Sequence, residues 1–157
     1  MDENFKPYVE QLAQKLEKLR NASAANPLAL PPDMCAKGVY VFSEGETYLY
    51  VGRSNTLRNR IRSHCGASSG HNAAVFAFKL ARIATGWTKP HYKKGSGGTR
   101  DELMHNERFL GEFAKAKDRI GAMDVRYVEE TDPIRQALLE IYAAVVLGAK
   151  YNDFDNH

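Results

Sequence analysis

The sequence predicts an α/β (α+β) chain: a small, mainly antiparallel three-stranded sheet flanked by helices, with an N-terminal helical arm. Three observations predict it. The runs Val39-Tyr40-Val41-Phe42 and Tyr48-Leu49-Tyr50-Val51 alternate apolar and aromatic residues across a short polar link, the pattern of a hairpin. Met123, Val125 and Tyr127 repeat the period-two pattern and supply a third strand. The stretches around these runs carry apolar residues at helical spacing. The expected strands are 38–43, 46–53 and 123–129. At 157 residues the chain is one domain with a core large enough to fold unaided.

Residues 2–21 read as an amphipathic helix with Phe5, Val9, Leu12, Leu16 and Leu19 on one side. Asn26-Pro27 and Pro31-Pro32 end it in a stiff connector, so residues 1–36 form an arm packed on the domain of residues 37–157. A dimer contact is the competing role for this arm, and the sequence leaves monomer and homodimer open.

Within the hairpin, Ser43-Glu44-Gly45 reads as a three-residue loop ending on glycine, which tolerates the left-handed position. That loop makes Phe42 and Glu46 the closing pair and sets Tyr40 opposite Tyr48. Val39, Val41, Leu49 and Val51 would then line the core face, and Tyr40, Phe42, Tyr48 and Tyr50 the other. A short helix follows, with Ser54 or Asn55 as its N-cap. Leu57, Arg60, Ile61 and His64 fall at i, i+3, i+4 and i+7, so Arg60 and His64 are carried inward by two apolar neighbours. Arg58 and Arg62 are i,i+4 partners on a more outward face. An arginine drawn toward a core is costly unless it meets an anion; the competing reading is a snorkelling side chain.

Ala73–Ala84 is expected to be a helix burying Ala73, Phe76, Ala77, Leu80 and Ala84, and Gly86-Trp87 ends it. Residues 88–100 form a basic, glycine-rich loop beside Trp87 and Tyr92. Cations and aromatics on mobile glycines suit phosphate contact and base stacking. Asp101–Lys117 reads as one exposed helix burying Leu103, Leu110, Phe113 and Ala114. Asp132 caps a last helix with Pro133 at its first position and Gly148 past its end. From Gln136 to Ala149 that helix holds one charge, Glu140. Ile134, Leu138, Ile141 and Val145 make one side apolar and Leu139, Val146 and Leu147 the other, so the helix should be mostly buried. Glu140 should then face a partner, a cation or a polar cleft.

Charge is distributed unevenly. Residues 51–100 hold ten Lys and Arg and no acid, whereas the flanking thirds are net acidic. A solvated surface normally intersperses both signs, so this segment points to a polyanion partner. Arg53, Arg58, Arg62, Lys89, Tyr92, Lys93, Lys94 and Arg100 are the candidate nucleic-acid contacts. Cys35 and Cys65 make neither CxxC nor a zinc spacing, which excludes thiolate metal sites and a disulfide framework. No apolar run reaches the ~18 residues of a membrane span. The start, MDENFKPYVE, lacks the basic and apolar parts of a signal peptide, so a cytoplasmic location is expected. His71, His91, His105 and His157 show no ligand spacing and read as surface residues.

Gly38-Val39-Tyr40 and Tyr50-Val51-Gly52, ten residues from tyrosine to tyrosine, resemble the signature of the GIY-YIG nuclease family. Leu57, Arg60 and His64 continue the pattern, and Glu140 and Asn152 fit its later glutamate and asparagine. The resemblance implies a compact α/β fold and an endonuclease that hydrolyses phosphodiester bonds in DNA with one divalent ion, Mg²⁺ or Mn²⁺. It implies Glu140 as metal ligand, Arg60 on the scissile phosphate and Tyr40 on the attacking water. His64 and Tyr50 would relay protons or position groups, and Asn152 would brace the site. The alternatives are a non-catalytic nucleic-acid-binding module and a nuclease acting on RNA. No helix-turn-helix or zinc-finger pattern accompanies the signature, which favours a stand-alone restriction, defence or repair-type enzyme over a modular one.

Overall fold

In a computed structural model describing residues 1–155, three strands form an antiparallel sheet in the order β2-β1-β3. They are β1 (Gly38–Glu44), β2 (Thr47–Ser54) and β3 (Asp124–Glu129). Helices cover both faces. Val39, Val41 and Val51 pack with Leu16, Leu19, Leu139 and Ala143 on one side. Tyr40, Phe42 and Leu49 pack with Ile61, Phe76, Phe109 and Ile120 on the other. The expected fold class therefore holds, but the sheet has two cores rather than one.

The hairpin register differs from the expected one. The turn is the two-residue Gly45-Glu46, with Glu44 opposite Thr47 and Gly45 at φ +58. Glycine at the first central position is the requirement of a type II′ turn, whose twist matches its strands. A bulge on β2 at Leu49 then absorbs one residue, so Tyr40 pairs with Gly52 and Phe42 with Tyr50. The bulge moves Leu49 into the tyrosine-side core and Tyr48 toward the valine side, reversing the expected faces of both. Tyr40 and Tyr50 still share a face.

This register accounts for two signature glycines. A Cβ at Gly52 would lie 2.3 Å from the Tyr40 hydroxyl oxygen, and one at Gly38 would lie 2.0 Å from the Val128 carbonyl oxygen. Gly52 is the floor on which the Tyr40 ring rests, and Gly38 admits β3.

Several helices depart from their expected bounds. The N-terminal arm is two helices, α1 (Lys6–Val9) and α2 (Leu12–Asn21), and Phe5 is exposed while Leu16 and Leu19 are buried. α3 (Leu57–Ser63) starts after Thr56, not Ser54 or Asn55; the Ser54 hydroxyl instead accepts the Thr56 N–H. α4 (Val75–Thr85) ends at Gly86 in the left-handed region, and its Ala84 is exposed. The helix expected over 101–117 is two, α5 (Arg100–Leu103) and α6 (Glu107–Gly121). Asn106 restarts the chain by accepting the Phe109 N–H. The restart rotates the buried stripe to Phe109, Phe113, Ala116 and Ile120, leaving Leu110 and Ala114 exposed.

α7 (Pro133–Val146) carries its expected cap, with Asp132 accepting two backbone N–H groups. It is less buried than its composition suggests. Leu139, Ala143 and Ala144 face the valine side of the sheet, while Ile134, Ile141, Val145 and Val146 are exposed because no further layer covers that side. No described helix is long and apolar enough to cross a membrane.

Candidate active site

β1 and α3 bring the first half of the signature together on the tyrosine-side face. Tyr40 is 1% exposed, and its hydroxyl oxygen lies 2.6 Å from Nε2 of His64, itself fully buried. The His64 ring sits in an aromatic cage, with ring centroids 5.6 Å from Tyr40, 5.4 Å from Tyr50 and 5.5 Å from Phe42. Its Nδ1 is buried without a partner among the described residues. Burial holds the imidazole neutral, pushing its pKa down to about 3, and the Arg60 charge adds to the effect.

Burial also raises the pKa of both tyrosines, and Arg60 opposes the rise in each. At neutral pH both phenols therefore keep their protons. A neutral imidazole has one N–H, so it can accept the Tyr40 proton only in the tautomer that leaves Nε2 bare. Arg60 is half-buried, and its Nη1 donates to the Ala73 carbonyl at 3.1 Å. No carboxylate pairs with it among the ion pairs of the described residues, which leaves its charge available to an anion.

Glu140 reaches the site from α7, 30% exposed at its side chain, with Oε2 accepting from Arg53 Nε at 2.9 Å. Burial raises its pKa; Arg53 first and Arg60 less strongly pull it back. Asn152 binds backbone rather than a reacting group. Its amide accepts from the Val51 N–H and donates to the Val51 carbonyl, both at 2.8 Å. With Lys150 and Tyr151 pairing to Tyr48 and Leu49, it closes the outer edge of β2 next to Tyr50. All six candidate catalytic residues thus converge, four by direct side-chain neighbourhood, Glu140 through Arg53, and Asn152 through β2.

The candidate nucleic-acid contacts divide. Arg62, Lys89, Lys93 and Lys94 are exposed. Arg53 is committed to Glu140, a partnership its membership of the basic segment did not reveal. Arg58 turns back to the connector, donating to the Leu30 and Pro31 carbonyls. Tyr92 is 79% exposed. Arg100 donates to Nδ1 and the carbonyl of His71, and its guanidinium lies 4.1 Å over the Phe78 ring. His71 is thus half-buried and engaged, while His91 and His105 are exposed and His157 lies outside the described residues. Two residues of the site escaped the sequence reading. Phe76 stacks on Tyr50 at 4.7 Å, and Ala73 supplies the carbonyl that orients Arg60. Phe76 was visible only as a member of a core stripe; a carbonyl leaves no sequence signal.

No described group of three or more His, Cys, Asp or Glu side chains could enclose a metal ion. Glu140 alone offers a hard oxygen donor beside Tyr40 and Arg60. A cation held there would need water and substrate oxygens for most of its shell, which is how Mg²⁺ ordinarily binds. The donor set fits such an ion on those terms.

Residues 36–110 match the model of the GIY-YIG catalytic domain. The match covers the tyrosines, Arg60 and His64 and stops short of Glu140 and Asn152. A stretch of 38 residues is 40% identical to UvrABC system protein C of Fervidobacterium nodosum, covering 24% of this chain and 7% of that protein. The chain thus spans a small part of that relative's length. No solved structure matches the chain. The signature residues from Gly38 to His64, the β1–β2 hairpin and α3 all fall within the matched span, so residues 36–110 are similar to the catalytic domain of a nuclease family.

Proposed function

We propose that the chain is an endonuclease that hydrolyses phosphodiester bonds in DNA, with one Mg²⁺ or Mn²⁺ ion held at Glu140. The observation that carries this reading is the Tyr40–His64 contact at 2.6 Å with Arg60 beside it, near enough to Glu140 on α7 for its charge to act on both tyrosines. Arg60 binds the scissile phosphate and the charge that develops on it through its unpaired donors. Tyr40 orients the attacking water and takes its proton while passing its own to His64 Nε2. Both transfers are uphill in the free protein. A phosphate at Arg60 cancels one of the two effects that depress the imidazole, so substrate itself makes His64 more basic. Tyr50 holds the other side of Arg60, and Asn152 keeps β2 and therefore Tyr50 in place. The divalent ion, when bound, supplies Lewis-acid stabilisation of the departing oxygen. Arg62, Lys89, Lys93 and Lys94 attract the backbone of the nucleic acid.

The test is incubation with supercoiled plasmid, and in parallel with structured RNA, in Mg²⁺ or Mn²⁺ against EDTA. Plasmid should be nicked in metal alone. Glu140→Gln keeps the shape and removes the charge, so the folded variant should bind DNA and fail to cut it. Normal nicking by that variant, or cleavage confined to RNA, would refute the assignment.

A further inference from the structure

A cavity of about 450 Å³ lies apart from the tyrosines, between α4, α5 and the 87–99 loop. Phe78, Pro90 and Leu103 line it, with Arg82, Arg100 and Tyr92 among its walls. Its volume lies within the roughly 300–1,000 Å³ that small-molecule sites occupy.

The loop forming its wall is built rather than slack. Trp87 rests on Gly98, where a Cβ would fall 2.5 Å from the ring, and His91 meets it edge-on at 5.1 Å. The Glu102 carboxylate gathers the N–H groups of Gly95, Gly97 and Thr99 at 2.9, 3.2 and 3.3 Å. The glycines that sequence reading took as mobile are therefore pinned.

The polar side of the cavity is unbalanced. Arg82 spends its Nε on the Trp87 carbonyl at 2.8 Å, while its Nη2 is buried with no partner among the described residues. The Arg100 guanidinium lies over the Phe78 ring and, among the described residues, its side chain bonds to His71 alone. Among the described residues no ion pair joins either guanidinium to a carboxylate; the nearby Asp153 pairs with Lys79 at 3.9 Å on the adjoining rim. Burial lowers the pKa of both guanidiniums, and the Arg82 charge lowers that of Arg100 further. Two guanidiniums in the wall of one cavity, neither paired with a carboxylate among the described residues, are a site wanting an anion. The apolar floor and exposed Tyr92 want a flat, less polar group next to it.

We propose that this cavity is a mononucleotide pocket, in which a phosphate bridges Arg82 and Arg100 and an unstacked base lies against Tyr92. One short segment links it to the candidate active site: Ala73 accepts from Arg60 and His71 from Arg100. A strand cut beside Arg60 would thus leave a neighbouring nucleotide within the reach of this pocket, drawn out of its stack. The choice of a nucleotide over other aromatic phosphates rests on the nuclease reading, but binding of a mononucleotide requires no cleavage.

Trp87 is the single tryptophan of the chain and touches the loop that walls the cavity, so its fluorescence reports occupancy. The full chain is titrated with inorganic phosphate, a deoxynucleoside and a deoxynucleoside 5′-monophosphate, with calorimetry alongside. The monophosphate should bind at least ten-fold tighter than either fragment. Tyr92→Ala, at an exposed position that folding does not need, should weaken it roughly 5- to 150-fold, the range of one base stack. Arg82→Gln should weaken both monophosphate and phosphate about ten-fold or more, and Arg82→Lys should restore part of the loss. Equal affinity for phosphate and monophosphate reduces the cavity to an anion site and overturns the proposal. So does absence of saturable binding, or binding lost in Arg60→Ala but intact in the two pocket variants. If plasmid is never cut while the monophosphate binds here, the nuclease reading falls and the pocket stands; if plasmid is cut and the pocket stays empty, the reverse holds.

Discussion

His64 carries the most quantitative consequence of the site. An imidazole buried in an aromatic cage with its pKa near 3 stays neutral in the native protein well below the pH at which the unfolded chain protonates it, near 6.5. Above pH 6.5 both states hold it neutral and it adds no pH dependence. As pH falls from 6.5 toward 3 the unfolded state binds the extra proton, so native stability declines by about 1.4 kcal/mol per pH unit from this group alone. Below about 3 both states are protonated and the loss levels off. The whole effect is roughly 5 kcal/mol, a large share of the ~5–15 kcal/mol that holds a domain folded. His64→Gln removes the titration and keeps a side chain able to bond Tyr40. Urea unfolding of both proteins at pH 7, 6, 5 and 4 isolates the term, since every other titrating group is common to the two. The wild type should lose about 3 kcal/mol more than the variant between pH 6.5 and pH 4. Parallel stability curves would mean that His64 is hydrated or charged in the native state, and the proton-relay geometry would go with it.

Three further outcomes follow from the geometry. Gly52→Ala sets a methyl 2.3 Å from the Tyr40 oxygen, so the ring must move; stability should fall by about 1–3 kcal/mol in thermal or urea unfolding, and cleavage should fall further than stability explains. Arg60→Ala should slow the single-turnover rate at saturating DNA by about 10²–10³-fold, whereas Arg62→Ala should only weaken binding and Arg58→Ala should chiefly cost stability through the connector; measuring saturated rate and affinity separately distinguishes the three. Arg53→Gln frees the Glu140 carboxylate of its cation, so the Mn²⁺ concentration needed for half-maximal cleavage should change, and an unchanged requirement would disconnect that ion pair from the metal.

Much of this was legible from residues 38–64, because a strand alternates faces and a helix repeats every third and fourth residue. Those two rules alone set Tyr40 and Tyr50 on one side and carry Arg60 and His64 inward. The register was not legible: a II′ turn with a bulge and a three-residue loop both satisfy the same alternation of Tyr and Val. Nor did composition reveal which cations are already engaged. Arg53, Arg58, Arg62 and Lys93 look alike in a basic run, and only folding assigns Arg53 to Glu140 and Arg58 to two connector carbonyls. The α6 start was readable in Asn106 but masked by good helix formers such as Glu102, Leu103, Met104, Glu107 and Arg108 on either side of it. The outer side of α7 misled in the opposite way, since apolar residues require a covering layer only where the fold supplies one.

The tie between Asn152 and Val51 spans 101 residues, and that between Arg53 and Glu140 spans 87. Tyr40 and His64, by contrast, are 24 apart. During synthesis the tyrosine–histidine half of the site can therefore close early, from a local hairpin and one helix, while the carboxylate and the edge brace arrive only with the last helix and the residues after it. A nascent chain carries the aromatic half of the candidate site with no Glu140 carboxylate beside it. The carboxylate therefore joins the aromatic half of the candidate site after that half has closed, and the long-range closure of the β2 edge sets that order.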